Sequence, residues 1–175
     1  MNAQIGSLFL ENGVHVSMLG RVRMKRNHAL GDGGAICVSD KSSVTISSGA
    51  FIFGNKGKNG GAISVDSASQ LIVDGAAEFE GNIAVNYGGA LSCTGTNSII
   101  QLKNSVSIQL NQARDGGAIR LSLSAALTAS NTTFIQNYAQ NFGGAFFADS
   151  ADIWLGSACI LEKNTASSGG AIYLQ

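Results

Sequence analysis

No proline occurs in the 175 residues, and charge is sparse: 11 basic and 11 acidic side chains cancel to a formal net charge of 0. A chain without Pro holds neither a Pro-rich linker nor a collagen triplet. Balanced charge argues against a nucleic-acid surface, which uses a clear basic excess. No apolar run approaches the roughly eighteen residues of a membrane span. Met1–Leu10 is too short and too uncharged to read as a signal peptide. Three cysteines, Cys37, Cys93 and Cys159, are too few and too scattered for a disulfide scaffold or a zinc site. Against these shortages the apolar share is 45%, enough to bury a core and to argue against disorder. Glycine is in excess, with 23 residues or roughly twice ordinary usage, which suggests regularly spaced tight turns.

The glycines fall in a pattern. Six Gly-Gly-Ala tripeptides begin at Gly33, Gly60, Gly88, Gly116, Gly143 and Gly169, spaced 27, 28, 28, 27 and 26 residues apart. Their second glycines are Gly34, Gly61, Gly89, Gly117, Gly144 and Gly170, and an apolar residue follows each Ala: Ile36, Ile63, Leu91, Ile119, Phe146 and Ile172. A second marker runs in phase. Asn27, Asn55, Asn82, Asn111, Asn137 and Asn164 each stand five or six residues before a Gly-Gly. Three positions before each Asn is an apolar residue: Met24, Ile52, Phe79, Ile108, Phe134 and Leu161. Each unit thus carries a ΦxxN element, a short turn, and Gly-Gly-Ala-Φ.

Between the markers, apolar residues alternate with period two, as in Ile63 and Val65 or Leu71 and Val73. Three strands of four or five residues per unit follow, with ΦxxN supplying the third, and no segment has a helical period. Such a unit cannot bury its apolar face alone, and stacking copies pairs each strand with its counterpart in the next unit. The expected fold is all-β: a right-handed parallel β-helix, a three-sided solenoid of about six coils plus a final strand. Residues 1–175 read as one domain. Residues 1–32 form a degenerate first coil, with Ile5, Leu8 and Leu10 in its first strand and Val14 and Val16 in its second; residues 33–175 form the regular coils. Gly-Gly serves the corners, and the Asn amides stack at a corner and bond to one another or to backbone. Strict alternation points the repeat Ala outward, whereas the adjacent corner would turn it in.

Gly-Gly-Ala-Ile alternating with Phe-x-x-Asn resembles the chlamydial polymorphic membrane protein family, whose members carry GGA(I/L/V/Y) and FxxN repeats. The matching motifs are Gly33–Ile36, Gly60–Ile63, Gly88–Leu91, Gly116–Ile119 and Gly169–Ile172, with Phe79–Asn82 and Phe134–Asn137. Phe146 departs after the fifth Gly-Gly-Ala, and Met24, Ile52, Ile108 and Leu161 replace Phe. The resemblance implies an autotransporter passenger, displayed at the cell surface on the outer membrane by a C-terminal barrel, and the expected role of this chain is adhesion or that of a structural spacer. On that expectation the chain is a piece of a longer passenger, and membrane attachment comes only through a barrel or other anchor.

Catalysis finds little support. β-helical polysaccharide lyases and hydrolases, the alternative reading, need converging carboxylates. Asp32 and Asp115 lie three units apart, and Asp149 and Asp152 share a turn with nothing opposite. His15 and His28, the only histidines, have no partner from which to draw a triad. The position before Gly-Gly reads Asp, Asn, Tyr, Asp, Phe, Ser, which does not support a calcium repeat. The outward second-strand column, His15, Thr45, Ile72, Gln101, Thr128 and Trp154, lacks the Thr rank of an ice-binding face. No catalytic residue, metal or cofactor is assigned.

Two surfaces invite partners. Arg21–Arg26 gathers four of the eleven basic residues, suited to a glycosaminoglycan or anionic surface, or simply a solvated strand. In the first-strand sheet the outward column reads Cys37, Ser64, Ser92, Arg120, Phe147, Tyr173, with Trp154 outward on the neighbouring sheet. Arg120, Phe147, Tyr173 and Trp154 have the composition of a binding hot spot for a host-cell or extracellular receptor or glycan. The competing reading is that another segment packs over them.

Overall fold

The computed structural model describes residues 8–175, so Ile5 lies outside the described residues. All their regular structure is strand, and every strand pairing is parallel. The first sheet stacks Leu8–Leu10, Ile36–Val38, Ile63–Val65, Leu91–Thr94, Ile119–Ser122, Phe146–Asp149 and Ile172–Leu174. The second stacks His15–Met18, Ser43–Ser47, Gln70–Asp74, Ile99–Lys103, Ala126–Ala129 and Asp152–Leu155. The third stacks Arg23–Lys25, Ala50–Phe53, Ala77–Glu80, Val106–Gln109, Thr132–Ile135 and Ile160–Glu162. The chain is a parallel β-solenoid of six coils and a final strand.

A fourth sheet occupies the segment read from sequence as a turn. It stacks Lys56–Asn59, Ile83–Tyr87, Gln112–Asp115 and Tyr138–Phe142, between each ΦxxN and the next Gly-Gly. The solenoid therefore has four sheets rather than three. Its inward position is small in every coil: Gly57, Ala84, Ala113 and Ala139. That column has no apolar bulk, and a hydrophobic pattern does not reveal it.

The small residues and the two glycines fit together. A Cβ on Gly34, Gly61 or Gly117 would stand 2.5–2.6 Å from the backbone oxygen of Lys56, Ile83 or Tyr138, on the fourth-sheet segment of the adjacent coil. The second glycine is thus fixed by close approach. The first is fixed by conformation: Gly33, Gly60, Gly88, Gly116, Gly143 and Gly169 all have φ between 60° and 68°.

Register keeps like over like. Ile36, Ile63, Leu91, Ile119 and Phe146 form one fully buried column. Val44, Leu71, Ile100 and Leu127 form another, and Ile52, Phe79, Ile108 and Phe134 a third. Burying each such side chain contributes about 1.5–3 kcal/mol. The repeat Ala turns inward: Ala35, Ala62, Ala90, Ala118 and Ala145 are buried in the same core. In the first coil the inward second-sheet pair is Val16 and Met18, opposite Val44 and Ile46. Val14 is exposed, and the outward column begins with Ser17 while His15 pairs with Ser43. A shift of two residues preserves the face, so alternation alone did not fix this register.

Asparagine links the coils at the end of the third sheet. Asn55 Nδ2 donates to Asn82 Oδ1 at 2.9 Å, and Asn82 Nδ2 donates to Asn111 Oδ1 at 3.0 Å. Asn111 to Asn137 and Asn137 to Asn164 repeat this at 3.0 Å. Each Oδ1 also accepts the backbone N–H of the preceding Asn, as from Asn82 to Asn111 at 2.9 Å. The second amide hydrogen goes to the Φ carbonyl of the preceding coil: Asn82 to Ile52, Asn111 to Phe79, Asn137 to Ile108. ΦxxN therefore supplies both ends of a bond between coils. The residue before each Asn is left-handed, with φ 56° at Arg26, 62° at Gly54, 59° at Gly81, 57° at Leu110, 53° at Gln136 and 54° at Lys163.

Asn111→Ala leaves the Asn82 amide and N–H and the Phe79 carbonyl without their partner, and is expected to cost about 2–4 kcal/mol by urea denaturation. Asn27→Ala, at the half-buried end of the column, should cost clearly less; equal losses would refute the ladder's role. Gly89→Ala brings Cβ within 2.1 Å of the Gly117 oxygen and should destabilise by more than about 4 kcal/mol or prevent folding. Gly20→Ala, with φ 78° but open space, should cost only about 1–2 kcal/mol.

Candidate contact surface

The first-sheet outward column is in register through Cys37, Ser64, Ser92, Arg120, Phe147 and Tyr173. It is nevertheless covered: Cys37, Ser64, Ser92 and Phe147 are all buried. The left-handed glycine folds the chain back sharply, so a Cβ on Gly143 would strike the Phe146 oxygen at 1.9 Å. This fold brings the residue before Gly-Gly over the neighbouring column. Phe142 stands 5.9 Å from Phe147 and 4.6 Å from Tyr173, ring centre to ring centre. Phe147 and Tyr173 are themselves 5.8 Å apart.

Arg120 is held between two rings, 4.4 Å from the centre of Tyr87 and 5.8 Å from that of Phe147. Burial lowers its pKa, opposed by Tyr87, Asp149 and Asp115. A partly desolvated cation–π contact of this kind contributes about 1–2 kcal/mol. Arg114 completes the cluster, donating from Nη2 to Tyr87 Oη at 3.0 Å and from Nε to Asp115 Oδ2 at 3.3 Å. Arg120 Nε and Asp115 Oδ1 are buried without a hydrogen-bond partner among the described residues.

The structure thus joins Arg120, Phe147 and Tyr173 and adds Tyr87, Arg114 and Phe142. Trp154 stands apart on the second sheet, 54% exposed. Tyr87 and Phe142 were visible in sequence as the irregular position before Gly-Gly, whereas Arg114 stands one residue earlier and carried no such signal. Without the fourth strand, nothing indicated that the position before Gly-Gly reaches the first sheet.

Candidate acids and histidines are engaged elsewhere or solvated. Asp32 Oδ1 accepts from Asn59 Nδ2 at 2.9 Å, and exposed His15 shares a hydrogen bond with Ser43 Oγ at 2.6 Å. Among the described residues no three His, Cys, Asp or Glu side chains gather as metal ligands, and all three cysteines are free thiols. Burial, then Asp66, pushes the Cys93 thiol up to about 12, and the Cys37 thiol rises similarly.

Three stretches match the Chlamydia polymorphic membrane protein repeat: residues 76–94, 131–149 and 158–175. Each contains one ΦxxN and one Gly-Gly-Ala; the first two run from the third sheet through the fourth to the first, and the last runs from the third to the first with single bridges from Thr165 and Ser168 to Tyr138 and Phe142. No curated protein and no solved structure matches the chain.

Cys93 supplies a pH test. Its folded pKa lies above the unfolded value of 9.0, so its contribution is complete below pH 9 and is lost as pH rises toward 12. Unfolding free energies from urea titrations between about pH 8 and 10.5 should fall more steeply for the parent than for Cys93→Ala, by about 1.4 kcal/mol per pH unit at most. Parallel profiles would show that Cys93 is not held protonated.

Proposed function

We propose that this chain, a bearer of the Chlamydia polymorphic membrane protein repeat, is a non-catalytic β-solenoid module of the autotransporter-passenger type, displayed at the cell surface and acting in adhesion. The observation that carries this reading is the contrast between the two faces of the second sheet. Inward positions repeat as the aliphatic Val44, Leu71, Ile100 and Leu127, while the outward ones, Thr45, Ile72, Gln101, Thr128 and Trp154, reach solvent and change along the axis. A repeating core beneath a changing surface suits a scaffold for recognition better than a lattice-matching face. The partner class is a host-cell or extracellular receptor, and attachment to the membrane comes through a barrel or another anchor.

Beads coated with the folded chain should attach saturably to epithelial cells, and soluble chain should compete. Replacing Trp154, exposed and outside the aromatic cluster, by Ser should reduce attachment at an unchanged melting temperature. Beads attaching no better than albumin-coated ones would refute adhesion and leave a spacer role.

A further inference from the structure

A groove of about 570 Å³ lies on the outer face of the third sheet, away from the aromatic cluster. It crosses four successive coils, and each coil contributes different chemistry. Arg21, Arg23 and Lys25 come from the first, Phe51 from the second, Glu78 from the third and Ser107 from the fourth. Coils rise about 4.8 Å each, so this order runs along roughly 14 Å. Gly49, Ala50, Ala76 and Ala77 keep one wall low, which makes the face concave rather than flat. The Phe51 ring is braced by parallel stacking on Phe53 at 5.7 Å.

The cations are the unexplained part. Arg21, Arg23 and Lys25 are exposed on one short segment, yet none has an ion-pair or side-chain hydrogen-bond partner among the described residues. Glu78 lines the same groove without pairing with any of them. Like charges held this close repel, and an anion bound between them relieves that repulsion. The carboxylate farther along disfavours a uniform polyanion, because such a chain would place negative charge over Glu78. It suits instead a ligand whose charge sits at one end and whose remainder carries hydroxyl donors.

We propose that this groove binds an oligosaccharide with an acidic terminal sugar. The carboxylate or sulfate lies among Arg21, Arg23 and Lys25, a ring stacks on Phe51, and hydroxyls donate to Glu78 and exchange hydrogen bonds with Ser107. The volume falls within the usual range of small-ligand sites. The groove lies on a different sheet from the Arg120–Phe147–Tyr173 column, so the proposal stands whether or not that column contacts a receptor.

The test is direct titration of the full chain with 3′-sialyllactose, 3′-sulfolactose, lactose and a heparin hexasaccharide, followed calorimetrically and by amide chemical shifts. At least one of the two acidic lactose derivatives should bind saturably, about tenfold or more tighter than lactose, and the sulfate and carboxylate arms identify the acidic group. Arg21→Ala with Arg23→Ala should weaken binding about tenfold or more, and Phe51→Ala should also weaken it, with circular dichroism unchanged. Equal binding of acidic and neutral sugars, or no binding, overturns the proposal. So does a preference for heparin that Phe51→Ala leaves intact and Glu78→Gln strengthens, since that is the behaviour of a bare basic patch.

Discussion

The fold depends on closing every backbone hydrogen bond between coils at a corner where strand pairing stops. The Asn column does this. One side chain presents two donors and one acceptor oxygen with two lone pairs, and at Asn82 and Asn111 all are used. Serine plays a smaller version of the part before the second sheet, where Ser42, Ser69 and Ser98 are buried. There the Ser42 N–H donates to Ser69 Oγ and the Ala68 N–H to Ser98 Oγ. An apolar residue at the Asn position would leave buried donors unpaired, at a cost comparable to the gain from its own burial.

Much of the fold was legible because a solenoid writes its contacts as a period. Gly-Gly-Ala and ΦxxN fixed the coil length, the parallel pairing and the inward columns. What escaped was carried by small residues. Gly57, Ala84, Ala113 and Ala139 stand two positions after each Asn, a regular N-x-small signal that hydropathy overlooks. Their role appears only when the second glycine of the adjacent Gly-Gly is seen to pack against the backbone beside them.

The surface was less legible for the same reason. Alternation placed Phe147 outward, and in direction this is correct. It became buried because Phe142, across the left-handed glycine, lies over it. Alternation describes one strand, whereas exposure depends on whether the next strand bends back over it. The basic segment showed the complementary difficulty. Arg21, Arg23 and Lys25 were visible as charge, but the concavity before them comes from Gly49 and Ala76 in later coils.

The coil-by-coil register also constrains how such a chain can change length in evolution. Each strand pairs only with its counterparts in the adjoining coils, so removing or duplicating one whole unit would leave every column continuous. Loss of a single residue inside a strand would instead displace the aliphatic columns and the Asn relay of that coil together. Recombination between units is therefore the tolerated route to diversity. It would re-pair outward residues of neighbouring coils, such as Arg120 on one coil and Phe147 on the next, while the interior stays the same.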